Sequence, residues 1–259
     1  MRLDRLAVIG GNEWRMLWKD QAVVMLLIVT PAVMMGIMAD GLAPVVRESF
    51  DAGATMSGAD FAVPGFTVMF AFFMTGFMGN GFFLERGWGT WQRLRASSAR
   101  SAEVLLGKTA PYAAVSTLQI LLMLVFGWLV LDLHLRGSVA GLVLMIVAVV
   151  AVIMAIALFL VAHCGSSQQI SALTNLVGIV GGVIGGAFLP VDSLPGWTQI
   201  VAYVTPQYWA VDGLSGVLGA GDGLADVAPN AAILLGAAVV LTAVSARRLS
   251  LTEQERVAA

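Results

Sequence analysis

The sequence predicts an all-α membrane protein with six transmembrane helices, an N-terminal amphipathic helix and a re-entrant outer segment between the fifth and sixth spans. Three observations predict it. The 259 residues are 59% hydrophobic and only 12% charged, with a mean hydropathy of +0.88, against roughly 45–50% apolar and roughly 25% charged in soluble domains. Uncharged apolar runs of about 20 residues, enough to cross a hydrocarbon core of about 30 Å, recur along the chain. Lys and Arg gather on alternate connections between those runs, the distribution that orients a membrane protein. These features exclude a water-soluble enzyme domain and leave too little chain outside the runs for a separate catalytic one. The single cysteine, Cys164, excludes an internal disulfide.

The first 20 residues mix charges with apolar side chains and hold no continuous apolar stretch, which argues against a cleaved signal peptide. Leu3, Leu6, Trp14, Leu17 and Trp18 recur at helical steps once Gly10 is taken as a gap. Residues 1–20 therefore read as an interfacial helix weakened at Gly10-Gly11, or as a partly disordered basic tail. A window of about 19 residues places spans at 21–39, 61–84, 110–131, 139–162, 170–189 and 228–246. The six-span domain is thus 21–246, followed by a tail at 247–259. Thr30-Pro31 predicts a kink in the first span. The fifth holds Gly178, Gly181, Gly182, Gly185 and Gly186, a spacing that allows close helix packing, within one subunit or against a partner.

An even number of spans puts both termini on one side. Twelve of the fourteen basic residues then fall on that side: Arg2, Arg5, Arg15 and Lys19; Arg86, Arg93, Arg95, Arg100 and Lys108; Arg247, Arg248 and Arg256. Arg47 and Arg136 remain opposite, so by the positive-inside rule the termini are cytoplasmic. The stretch 190–227 has no Lys or Arg but carries Asp192, Asp212, Asp222 and Asp226, as befits an outward segment.

No Asp, Glu, Lys or Arg lies within the spans as drawn, whereas ion-coupled carriers usually hold an intramembrane ionisable group. Energy is expected from elsewhere, although an ATP-independent carrier or channel stays as the alternative. Gly107-Lys108-Thr109 ends like a phosphate-binding loop, but the first glycine would fall on Ala102 and no strand precedes it. An ATPase would be a separate chain. Asn80, Gln119 and Asn175, isolated polar residues within spans, could line a solute path or join helices by hydrogen bonds. A remote alternative is an intramembrane serine protease. Gly213-Leu214-Ser215-Gly216 matches a short serine-protease pattern, yet His163 sits at the opposite end of a span and His134 in a loop. His163-Cys164 lacks the further ligands of a metal site. The expected surroundings are the lipid bilayer, and nucleic acid is not an expected partner.

The connection 85–109 contains Glu85-Arg86, Gly89-Thr90, Arg93-Leu94 and Leu106-Gly107-Lys108. Thr90 can cap a short helix at 91–95 and Ser101 the segment leading into the third span, while Ser97-Ser98 interrupts them. From composition alone this is a basic loop against lipid headgroups or solvent, or a docking knob for a soluble partner. After the fifth span come Phe188-Leu189-Pro190, Leu194-Pro195-Gly196-Trp197 and Thr205-Pro206, then the aromatic pair Tyr208-Trp209. In the order and sides of these motifs the chain resembles the permease subunits of ABC-2 type transporters, including the daunorubicin-resistance exporters. Ala99 stands where that family often has proline.

The resemblance implies a bacterial inner-membrane exporter of an amphiphilic small molecule, drug or lipid-like solute. It implies a dimer of permease subunits, identical or homologous, each receiving a separate ATPase subunit that binds the ATP and Mg. This chain itself would hold no cofactor and no catalytic residue. The resemblance assigns ATPase coupling to Glu85, Arg86, Gly89, Thr90, Arg93, Leu94, Gly107 and Lys108. It assigns an outer gate to Pro190, Leu194, Pro195, Trp197, Pro206, Tyr208 and Trp209.

Overall fold

The computed structural model describes residues 25–49, 57–87 and 101–257, with Gly11 and Trp14 besides. These residues form helices joined by turns and short irregular connections, without a strand among them. Gly11 and Trp14 are helical, and the rest of the expected interfacial helix at 1–20 lies outside the described residues. A π-helical turn, Met25–Val29, leads into α1, Thr30–Ser49. Pro31 has no N–H to donate to the turn before it. At the same place the Thr30 hydroxyl donates to the Met25 carbonyl at 2.8 Å. The irregularity expected at Thr30-Pro31 is thus a change of helix type. The helix also continues beyond the expected end at Ala39.

The second run begins with a capping box. Asp60 N–H donates to Ser57 Oγ at 3.2 Å and Ser57 N–H donates to Asp60 Oδ2 at 2.8 Å, satisfying two otherwise orphaned donors. It forms α2, Gly58–Ala71, and α3, Met74–Gly87, joined through a tightened turn at Phe72-Phe73. Further on are α4, Ser101–Val130, and α5, Val139–His163. The expected fifth span is divided among α6, Ser167–Asn175, a π-helical turn, Leu176–Val180, and α7, Gly181–Ile184. It stops five residues short of Leu189 because Gly186 takes a left-handed φ of 91°. Ala187 N–H then reaches back to the Gly182 carbonyl and Gly186 N–H to that of Val183, the Schellman pattern.

Two short helices follow, α8, Gly196–Ala202, and α9, Pro206–Ser215, the latter running into a π-helical turn, Gly216–Ala220. The last element, α10, Leu224–Val257, carries the sixth run and extends through the charged tail. Among the described residues, four helical stretches are long and apolar enough to cross a membrane: Gly58–Leu84, Leu106–Val130, Val139–His163 and Leu224–Arg248, with Met25–Ala39 a shorter apolar helix. The α2–α3 stretch lies at the centre, almost wholly enclosed, with α1, α4, α5, α6 and α9 packed around it. Phe66, Phe72, Met74, Met78 and Phe82 from it are buried, together with Met145 and Ile153 of α5. The outward side chains Leu121, Val125 and Leu129 of α4 and Val239 and Val240 of α10 are exposed and apolar, as they must be to face lipid hydrocarbon.

Candidate functional site

The two ends of the α2–α3 rod meet different sets of the expected residues. At its C-terminal end, Glu85 and Arg86 fall in the last turn of α3, while Gly89, Thr90, Arg93 and Leu94 lie outside the described residues. The connection is shorter than expected, because 101–109 already belongs to α4. Gly107-Lys108-Thr109 is therefore helix, not a phosphate-cradling loop. Thr109 Oγ1 donates to the Leu106 carbonyl at 3.4 Å. Lys108, read from sequence as a loop cation, is only 1% exposed. Its Nζ sits 4.9 Å from the centroid of the Phe82 ring, where the ring quadrupole attracts it. One turn further along α4, the Tyr112 hydroxyl packs against Gly81, where any side chain would collide with it. These contacts join α3 to α4 next to the connection, so the pair can receive a force there as one body.

Of the three polar residues, Asn80 and Gln119 make hydrogen bonds between helices. Asn80 joins α3 to α6: its Oδ1 accepts from Ser167 Oγ at 2.6 Å and its Nδ2 donates to Ser171 Oγ at 3.3 Å. Gln119 is buried between α4 and α2, its Nε2 donating to the Thr67 carbonyl at 3.5 Å. Asn175, one turn beyond Ser171, is exposed. Interhelical hydrogen bonds of this kind contribute about 1 kcal/mol, so Asn80→Ala is expected to lower thermal stability in detergent modestly and leave export intact. A loss of export at unchanged stability would instead place Asn80 on the solute path.

The glycines of the fifth run face inward. A Cβ on Gly178 would lie 3.1 Å from the Phe73 ring, one on Gly182 2.5 Å from Met69 Cγ, and one on Gly181 2.6 Å from Gln207 Nε2. These contacts lie within the subunit. Gln207, which carried no signal in the sequence beyond its place after Pro206, is 1% exposed and donates to the Val177 carbonyl at 2.7 Å. Val177 lies in the π-helical turn Leu176–Val180, and Gln207 thereby ties α9 to the fifth run.

The segment 190–227 divides into two parts. In the first, the Pro190 carbonyl accepts from Ser193 Oγ at 2.6 Å and that of Pro195 from Thr198 Oγ1 at 2.5 Å. Leu194 is half-buried between those turns. Trp197, Ile200 and Val204 are exposed, Val204 at 83%. In the second part, Thr205 caps α9 by accepting from Tyr208 N–H at 3.4 Å and Pro206 occupies the first helical position, where its missing N–H costs nothing. Tyr208 stands edge-on to Tyr203 at 4.8 Å and to Trp209 at 5.1 Å, and Trp209 Nε1 donates to the Tyr203 carbonyl at 2.9 Å. Ala210, Leu214 and Val217 beyond them are buried. Before the segment, the Ala187 backbone lies on Gly65 and Phe188 stands edge-on to Phe66 at 5.1 Å. The start of α2 and this segment thus form one packed unit.

The connection 131–138 closes over the same unit. Gly137 N–H donates to the Val217 carbonyl at 2.8 Å and Ser138 N–H to that of Asp222 at 3.1 Å. Arg136 Nη2 lies 3.3 Å from Asp60 Oδ2, and Nη1 donates to the Gly219 carbonyl at 3.1 Å. Asp212 Oδ2 accepts from Asn230 Nδ2 at 2.8 Å and Asp226 Oδ2 from Gly223 N–H at 2.9 Å. Burial, and then the charges of Asp226 and Asp212, push the Asp222 carboxyl above its usual range.

The protease alternative does not assemble. Ser215 Oγ is buried without a hydrogen-bond partner, and His163 Nδ1 lies 2.9 Å from the Phe159 carbonyl, its ring stacked on Phe159 at 4.0 Å. Among the described residues no group of histidine, cysteine and carboxylate side chains suits a metal ion.

A family model for the ABC-2 type transporter matches residues 5–218, a range that includes both the 85–109 connection and α9. The chain is also similar to the linearmycin resistance permease protein LnrN of Bacillus subtilis (strain 168), 27% identical over 247 residues. That alignment covers 93% of this chain and 60% of the relative, so the chain spans about three-fifths of the length of the curated protein it matches.

Proposed function

The chain belongs to the ABC-2 type transporter family, and on that premise we propose that it is the membrane-spanning permease subunit of an ABC exporter. ATP, with Mg, is hydrolysed by a separate nucleotide-binding subunit that docks on the 85–109 connection. The chain pairs with a second permease, identical or homologous. The solute moved outward is an amphiphilic small molecule, drug or lipid-like compound, a class in keeping with the resistance permease named above. The family match across the connection and the outer segment together is the observation that carries this reading. In it the chain crosses the bacterial inner membrane six times with both termini cytoplasmic, and 190–227 forms the re-entrant outer mouth.

The mechanism follows from the packing. Closure of the ATPase pair moves the connection; the α3–α4 pair, joined at Lys108 and Tyr112, moves with it, and α2 delivers the displacement to the unit formed with Ala187, Phe188 and α9. The aromatic cluster of Tyr203, Tyr208 and Trp209 seals the mouth, and Trp197 sits at the interface where amphipathic rings are favoured.

Purification in mild detergent tests the reading: an ATPase subunit is expected to accompany the chain and to hydrolyse ATP faster when a transported amphiphile is added. Solute movement by the purified chain alone, driven by an ion gradient, would replace it with the carrier alternative. Within this reading Trp197→Ala and Tyr208→Ala are expected to alter export or cause leak while the ATPase stays bound. Unchanged transport in both, at normal abundance, would reduce 190–227 to a surface loop. With Cys164 replaced, an impermeant thiol reagent applied outside cells should label Ser57→Cys and spare Ser250→Cys; the opposite result inverts the topology.

A further inference from the structure

We infer that Arg136 is a positioning residue for the outer segment: its guanidinium clasps the start of α2 to the turn after α9 and holds the mouth closed until solute leaves. The inference rests on the proposed role of 190–227, and four observations carry it.

One side chain serves two elements, with Nη2 at 3.3 Å from Asp60 Oδ2 and Nη1 donating to the Gly219 carbonyl at 3.1 Å. Such a fork is available to arginine and not to lysine. Asp60 cannot swing away to meet another cation, because its carboxylate is also the capping acceptor for Ser57 N–H and its side chain is 2% exposed. The segment 190–227 holds four aspartates and no Lys or Arg, so the cation that grips it comes from the neighbouring connection. Finally, the Arg136 side chain is 34% exposed, so water can reach the clasp and replace its bonds when it opens.

The direction of action follows from α2. It continues through α3 into the 85–109 connection and is enclosed along its length. A displacement at the connection is therefore carried about 40 Å, at 1.5 Å per residue, to the end where Asp60 sits. Arg136 is where that displacement would meet the outer segment. The backbone bonds from Gly137 and Ser138 to Val217 and Asp222 lie beside it.

The test uses the complex of the chain with its ATPase, Cys164→Ser and Val217→Cys, and an impermeant thiol reagent applied outside; Val217 is fully buried in the closed arrangement. Arg136→Gln is expected to raise the labelling rate about tenfold, the loss of roughly one charge-assisted hydrogen bond. Arg136→Lys, which keeps the charge without the fork, should fall between. Asp60→Asn should match Arg136→Gln, and the double variant should label no faster than either, since both remove the same clasp. Unchanged labelling at normal abundance, or fully additive effects, overturns the inference; if Arg136→Gln is lost from the membrane, Asp60→Asn alone carries the test. Faster labelling in Arg136→Gln with export unaffected by Trp197→Ala and Tyr208→Ala would leave the clasp standing and remove the gate reading instead.

Discussion

Gly65→Val is expected to cost this protein more than a glycine substitution in any exposed part of its helices. A Cβ at Gly65 would lie 2.5 Å from the Ala187 carbonyl oxygen and 2.9 Å from its Cα. Both atoms are backbone, and that backbone is fixed from two sides, by the Schellman turn at Gly186 and by Phe188 held against Phe66. It cannot rotate out of the way as a side chain would. Overpacking of a dense core costs roughly 1–3 kcal/mol and more where nothing relaxes, a large part of a total stability of about 5–15 kcal/mol. Gly182→Ala is the graded comparison, because the atom its Cβ meets is Met69 Cγ, on a flexible side chain. Gly36→Ala is the control: nothing lies within 4 Å of its Cβ, and α1 surrounds it, so a small gain is expected from the helix propensity of alanine. Membrane abundance and thermal unfolding in detergent read the series. A Gly65→Val protein as abundant and as stable as Gly36→Ala would refute the close packing of α2 on the start of the outer segment.

The same contact shows why some of this architecture was legible in the sequence and some was not. The runs at 61–84 and 139–162 agree with Gly58–Leu84 and Val139–His163 to within a few residues, since burial in apolar surroundings demands apolar side chains over the full length. Hydropathy says nothing of where the backbone turns. Ala187-Phe188-Leu189 is as apolar as the helix before it, so the fifth run appeared to continue when Gly186 had already ended it. For the opposite reason α1 passes beyond Ala39 and α10 beyond Ala246: a helix can leave the apolar phase without ending. Of the site residues, the aromatic and proline positions of the outer segment could be read as motifs. The part played by Gln207 and Arg136, and the burial of Lys108 within its motif, could not. Lys108 and Arg136 are long cations that fold either into solvent or back onto the protein, and which they do is decided by Phe82, Asp60 and Gly219, distant in sequence. Gln207 depends in the same way on the carbonyl of Val177 in a π-helical turn, an irregularity that leaves no compositional trace.

Replacing Arg93 and Leu94 together with Asp is expected to abolish ATP-driven export while leaving the protein in the membrane. The pair lies in the 85–109 connection, within the family match. On the proposed reading it sits at the centre of the contact with the ATPase. Leu supplies an apolar anchor there and Arg a cationic one, and truncating such central contacts typically costs 2 kcal/mol or more, on the order of a thirtyfold loss of affinity. Two carboxylates do further harm, since each must be desolvated without a partner. The transmembrane body should be indifferent to the change, because Lys108 on Phe82 and Tyr112 on Gly81, both outside the substituted pair, join α3 to α4. Thermal unfolding of the variant in detergent should therefore match the parent, whereas the ATPase should no longer copurify and the amphiphile should no longer stimulate hydrolysis. Arg93→Lys with Leu94→Met, which keeps the charge and the apolar volume, should retain most of both. If the Asp variant still binds the ATPase and still shows stimulated hydrolysis, the docking site lies elsewhere on the cytoplasmic face and force does not enter α3 and α4 through this connection.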